Sequence, residues 1–146
     1  MKDRFSFRAW NKKEKKYIDD IQECDNGYGV GEPCRMCFGD YLYECETYEV
    51  EQCTGFKDCN EDLMFVGDII KVCIETDDTA FGYDVIGNFV IIEENGQLLA
   101  VNAKCYSKYI NCEGTFYEND VCPLGWICDN DPEIEVLGNI HENSEL

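Results

Sequence analysis

Two apolar runs, residues 85–92 and 97–101, are separated by Glu93-Glu-Asn-Gly96, and the adjacent Asn95 and Gly96 constrain the fold more than any other feature. Both residues accept left-handed backbone angles at low cost. They therefore close a tight turn whose twist matches that of the flanking strands, and the two runs become antiparallel partners. Comparable segments recur along the chain. Residues 4–10 alternate, with Phe5 and Phe7 on one face and Arg4 and Arg8 on the other, and the polar turn Asn11-Lys-Lys-Glu-Lys-Lys16 leads into a second short strand over 17–21. Residues 40–52 alternate acid with aromatic or apolar side chains, and the phase slips near Thr47, which predicts one strand with a bulge or bend there. Residues 65–74 read as a turn feeding a buried strand and 134–140 as the closing strand. The glycine-rich 25–33 is a loop, and 102–131 is irregular apart from one short helix near 102–110. Short strands with turn residues between them predict a mainly β protein, a barrel or sandwich. The scarcity of Ala and Leu beside Tyr, Phe, Val and Ile agrees with pleated surfaces rather than helices.

Charge excludes a class of partner. The formal net charge is −19, from 12 basic and 31 acidic residues. Residues 1–16 hold seven basic side chains (Lys2, Arg4, Arg8, Lys12, Lys13, Lys15 and Lys16) against two acidic ones, so the body beyond them carries five basic and 29 acidic, a net −24. Such a field repels phosphate backbones, so no nucleic acid is expected on the acidic body. The basic N-terminal stretch reads as a solvated turn. No apolar run is long enough to span a membrane and the first ten residues lack an apolar leader, so neither a membrane nor export is expected.

Eleven cysteines, an odd number in a chain without a visible leader, point to free thiols or metal ligands rather than a disulfide scaffold. Most are expected to be small buried hydrophobes. Cys34-Arg-Met-Cys37, with Cys24 and Cys45, gives Cys-x9-Cys-x2-Cys-x7-Cys, a donor set sufficient for a tetrahedral structural zinc site. Gly27, Gly29, Gly31 and Gly39 around it suit a backbone that wraps a metal. Against this reading, the outer cysteines do not form a second Cys-x2-Cys knuckle, so reduced thiols without a cofactor are favoured and zinc is the alternative. A redox Cys-x-x-Cys lacks the βαβ context it needs.

Three segments in order carry a family likeness: Phe7-Arg-Ala-Trp10 before a charged turn; Gln52-Cys-Thr-Gly-Phe-Lys-Asp58 ahead of Gly67-Asp-Ile-Ile-Lys-Val72; and Val136-Leu-Gly-Asn-Ile-His-Glu-Asn-Ser-Glu-Leu146. Together the chain resembles the YopX family of bacteriophage and prophage proteins. The resemblance implies a mainly β fold with an SH3-like barrel in the C-terminal part, residues 52–146, and a small β-rich N-terminal subdomain, residues 1–51. It also implies a viral or prophage origin in a bacterial host cytoplasm. It brings no catalytic residues. The shared positions read as scaffold: Gly55 and Gly67 where turns need permissive backbone, Trp10 as a core aromatic, and Gly138-Asn139 as a bulge in the closing strand. Departures are the turn Asp58-Cys-Asn-Glu-Asp62, which lacks the family's glycine, and His141 and Ser144, which stand where tyrosine and proline are usual. Cys24, Cys34, Cys37 and Cys45 fall outside the family pattern.

No constellation points to catalysis. Pairs such as Asp77-Asp78 and Glu93-Glu94 sit in turns, where carboxylates are normally solvated. Asp129-Asn-Asp-Pro-Glu133 lacks the spacing of a calcium loop, Gly27-Tyr-Gly-Val-Gly31 lacks the strand and helix of a phosphate cradle, and His141 is the only histidine. The expected function is therefore non-catalytic: a binding protein acting on a basic host protein, as an acidic inhibitor. Its expected contact residues are Tyr41, Tyr43, Glu44, Glu46, Tyr48 and Glu49, since aromatics anchor and carboxylates steer. The alternative is a homo-oligomeric structural or small-ligand-sequestering phage protein, joined through sheet edges and with a pocket among its tyrosine-rich loops.

Overall fold

A computed structural model describes residues 6–23, 38–75, 84–116, 120–131 and 133–142. The elements are β1 (Phe7–Asn11), β2 (Lys16–Ile18), one 3-10 turn (Ile21–Glu23), α1 (Phe38–Tyr43), β3 (Tyr48–Lys57), β4 (Leu63–Phe65), β5 (Asp68–Ile74), β6 (Val85–Glu94), β7 (Gln97–Asn102), α2 (Tyr106–Ile110), β8 (Val121–Pro123), α3 (Leu124–Asn130) and β9 (Glu135–Asn139). The fold is mainly β, with two antiparallel sheets, one curled as a half-barrel. The chain divides into two units, Met1–Gly55 and Phe56–Leu146, with the boundary inside β3.

In the first unit β1 is central. It pairs with β2 (Ala9 opposite Ile18, Asn11 opposite Lys16) and with β3 (Phe7 opposite Gln52, Asn11 opposite Tyr48). The lysine-rich turn is shaped by Asn11, whose Oδ1 accepts the backbone N–H of Lys13 and of Glu14 at 3.0 Å each, while Lys15 takes the left-handed angle that closes it (φ 54°). Ala9, Ile21 and Tyr41 form the buried centre, with Phe7, Ile18, Tyr48 and Val50 packed around them. On the other face the Arg8 guanidinium lies 4.2 Å from the centre of the Tyr17 ring, and its Nε donates to Glu51 Oε1 at 2.8 Å. Tyr17 donates its hydroxyl to the same oxygen at 3.0 Å. A charge at 4 % exposure (Glu51) is thus matched by a cation and a hydroxyl, the condition under which burial of a carboxylate is tolerated.

The second unit is built on a five-stranded sheet of order β8-β7-β6-β5-β9, antiparallel throughout. The hairpin that the Asn-Gly pair predicts is present: Glu94 faces Gln97, and Asn95 and Gly96 turn with φ of 54° and 80°. Alternation along β5 sends Ile70, Val72 and Ile74 inward and Lys71 and Cys73 outward. The inward set meets Val85, Phe89, Ile91, Ala100, Met64 and Ile134, and α3 closes the cluster with Leu124 and Ile127, three residues apart on one helical face. In β9, Gly138 faces Ile69 and Val136 faces Ile70, so Leu137 is the extra residue of a bulge beside the Gly138-Asn139 pair that foretold one. Gly55 and Gly67 take φ of 87° and 99°, as their scaffold reading requires.

Two readings of local structure are corrected. Residues 40–47 are not the first half of a strand: α1 ends at Tyr43, a turn covers 45–47, and the phase slip at Thr47 marks where β3 begins. Within the segment read as irregular, β8 and α3 are ordered elements. A three-residue strand ending at Pro123 leaves no alternation to detect, and a seven-residue helix barely exceeds the shortest detectable period.

Candidate functional site

Of the expected zinc ligands, Cys24, Cys34 and Cys37 lie outside the described residues, and Cys45 is exposed in the turn after α1, where its carbonyl accepts Lys12 Nζ at 3.0 Å. The expectation that most cysteines are buried hydrophobes fails for those described. Cys53 and Cys122 are buried, but Cys45, Cys59, Cys73 and Cys112 are exposed, and all of them are free thiols. Burial first, and Asp120 next, push the Cys122 thiol up to about 11; burial, then Asp129 and Asp131, do the same for Cys128. The Cys59 and Cys105 thiols are also raised, by desolvation and then by Asp58 and Asp120 respectively. These four are held toward the protonated form, the reverse of an activated thiolate nucleophile.

The acid–aromatic segment divides. Tyr41 is 7 % exposed and belongs to the core of the first unit, so it is removed from the contact surface: the helical turn of α1 points it inward, where a strand's alternation would have grouped it with Tyr43. Tyr48 is half-buried and meets Tyr41 edge to face, centroids 4.9 Å apart. What remains outside is Leu42 at 53 % and Tyr43 at 87 % exposure, followed by exposed Glu44 and Glu46, with Glu49 also exposed on β3. An apolar pair thus stands in water just ahead of two exposed carboxylates in the chain.

Asp131, inside the segment weighed as a calcium loop, is buried. Its Oδ2 accepts the Cys73 N–H at 2.8 Å and its Oδ1 that of Glu133 at 2.9 Å, so its oxygens brace the backbone. His141 is half-buried, and its N–H donates to Asn139 Oδ1 at 3.0 Å.

A feature that sequence reasoning missed lies at the tip of the β6–β7 hairpin. An open groove of about 450 Å³ runs between the end of β6 (Ile92, Glu93, Glu94) and the α2 region (Tyr109, Ile110, Cys112, Gly114, Phe116). The Tyr109 hydroxyl donates to Glu94 Oε2, and the Tyr109 and Phe116 rings meet edge to face at 5.2 Å. That hydrogen bond, followed by desolvation and the Glu94 charge, pushes the Tyr109 phenol up to about 12. The available signal was the acid pair placed immediately before the Asn-Gly turn, together with Tyr109 in α2 and Phe116 in the segment that follows it. Among the described residues, no helix is long and apolar enough to cross a membrane.

Comparison with known proteins gives one family. The family model described as YopX protein matches residues 6–146. Among solved structures, protein EF1440 from Enterococcus faecalis is similar at 20 % identity, with 96 % of this chain and 95 % of that one covered and a TM-score of 0.52. Protein yopX from Bacillus subtilis is similar at 13 % identity, with 98 % of each chain covered and a TM-score of 0.44. No curated protein matches.

Proposed function

The chain belongs to the YopX family, and from that premise we propose that it is a phage- or prophage-encoded, non-catalytic binding protein that docks onto a basic protein in the cytoplasm of the bacterial host. The observation that carries this reading is the exposure of Leu42 and Tyr43 immediately ahead of the exposed Glu44 and Glu46, on a chain of net charge −19. An aromatic left in water gains most by being covered, and flanking carboxylates select a cationic cover and speed its approach. The same field opposes polynucleotide, so the partner is a protein, and a DNA-binding face is a natural target because its charge is already patterned for polyanions.

Affinity capture from host lysate, followed by titration of the identified partner in purified form, tests the reading. Binding should weaken at least about ten-fold between 50 and 500 mM salt. Tyr43→Ala should weaken it about ten-fold or more, the range of an interface anchor. A partner indifferent to both salt and Tyr43, or tight binding of DNA at physiological ionic strength, would overturn it.

A further inference from the structure

We propose a second binding site, in the unit Phe56–Leu146: the groove at the hairpin tip receives an arginine or lysine side chain from a basic peptide segment. The aliphatic stem lies along Ile92 and Ile110, and the cationic head sits at the Glu93 and Glu94 carboxylates against the Tyr109 and Phe116 rings. The inference deepens the reading of a cationic protein partner and rests on it.

Four features of the groove specify this occupant. Among the described residues its charged lining is wholly acidic, Glu93 and Glu94, and neither pairs with a cation. The floor is apolar and aromatic, and Ile110 stays 55 % exposed as a ledge, so a neutral polar ligand or a bare cation would leave most of the lining unused. Long basic side chains combine an apolar stem with a charged tip, which matches this division of the surface. The rings are held before anything binds: the Tyr109 hydroxyl is fixed by Glu94, and Phe116 packs against its edge, so an arriving cation meets a preset π surface.

The backbone keeps the groove open. After α2 the chain turns through Cys112 (φ 55°) and Gly114 (φ 83°), which brings Phe116 back to Tyr109. A side chain at Gly114 would meet nothing within 4 Å, so the groove is unfilled on that side. Lys104 and Lys108, both exposed, are the basic groups of the α2 region; neither lines the groove, and both temper its field. The site therefore relies on carboxylate contact and ring contact together rather than on potential alone.

The test is a ¹H–¹⁵N NMR titration of the full chain with acetyl-Gly-Arg-Leu-Gly-amide and with its citrulline counterpart, which has the same shape and no charge. The arginine peptide should give saturable shifts at residues 92–94 and 109–116, and the citrulline peptide should bind about ten-fold more weakly or not at all. Joint Glu93→Gln and Glu94→Gln substitution should weaken the arginine peptide about ten-fold; glutamine still accepts the Tyr109 hydroxyl, so the rings stay in place and an unchanged remainder of the spectrum verifies the fold. Phe116→Leu should cost about two- to five-fold, the contribution of a ring at an exposed site. Equal binding of the two peptides, or shifts confined to other residues, would overturn the site. Tyr43→Ala should leave this titration unchanged. If the peptide fails to bind while a basic partner is still lost with Tyr43, the groove alone is refuted; if the peptide binds but no partner depends on Tyr43, the docking surface is what fails.

Discussion

Asp58 offers the most direct test of how the second unit is held. It is 7 % exposed, and its carboxylate accepts three backbone N–H groups: Asn60 and Asp62 on Oδ1 at 2.9 Å each, and Val136 on Oδ2 at 3.1 Å. One side chain thus shapes the turn from β3 to β4 and ties it to β9, next to a backbone bond from Cys59 N to Ile134 O at 2.8 Å. In Asp58→Ala the turn amides recover water, at about 0.5–1 kcal/mol each, while the Val136 amide loses a charged partner in a half-buried place, about 1.5–3 kcal/mol, for a total of about 2.5–5 kcal/mol. Asp58→Asn is the sharper variant. Whichever way the amide is turned, its NH₂ faces a backbone N–H, so the loss should still be about 1.5–2.5 kcal/mol despite unchanged size. Urea unfolding followed in single-tryptophan backgrounds reads the result, since Trp10 lies in the first unit and Trp126 in the second. The Trp126 transition should move to lower urea and the Trp10 transition should move less. An Asp58→Asn protein within about 0.5 kcal/mol of the parent would refute the claim that both oxygens are committed to the backbone.

Three further outcomes follow from the same geometry. Glu61 holds a left-handed backbone angle (φ 64°) without being glycine, so Glu61→Gly should raise stability by about 0.5–1 kcal/mol in the same urea assay. Spectrophotometric titration of the phenols should include Tyr109 ionising near 12, with Glu94→Gln returning it toward 10, because the charged acceptor that favours the protonated phenol is gone. The Cys122 and Cys128 thiols are raised to about 11 in the folded chain against 9 unfolded, so their contribution is complete below about pH 9 and is lost as pH rises through 11; stability measured from pH 8 to 11 should fall, and Cys122→Ala should flatten that fall.

What was legible in the sequence is what local rules govern. The Asn95-Gly96 hairpin, the lysine-rich turn, the strand from Asp68 to Ile74 and the bulge near Gly138 follow from backbone preference and period-two burial, and each is in the structure. The segment 40–47 misled because acid–aromatic alternation satisfies a strand's period, whereas the buried Tyr41 is selected by packing against Ala9 and Ile21, contacts that depend on residues far away in the chain. The hairpin-tip groove escaped for the same reason: Glu94 and Tyr109 are 15 positions apart, and only the fold sets them side by side.

The deeper difficulty is that 31 acidic residues look alike in a sequence and are not alike in the fold. Glu51, Asp58, Asp68 and Asp131 are buried to 7 % exposure or less. Glu51 holds Arg8 and Tyr17, Asp58 the turn and Val136, Asp68 the Phe65 N–H at 2.8 Å, and Asp131 the N–H groups of Cys73 and Glu133. These four serve as connectors whose charge is satisfied within the chain, and a partner would gain nothing from them. Glu44, Glu46, Glu49, Glu93 and Glu94 are exposed; Glu44 and Glu46 follow Leu42 and Tyr43 in the chain, and Glu93 and Glu94 line the groove with Ile110 and the Tyr109–Phe116 pair. Net charge therefore overstates what is available for recognition, and coincidence of a carboxylate with an uncovered ring or aliphatic chain locates it. Neutralising an internal acid should lower the urea midpoint, as for Asp58→Asn, without teaching anything about binding, whereas neutralising Glu44, Glu46, Glu93 or Glu94 should weaken a cationic partner and leave the midpoint where it was.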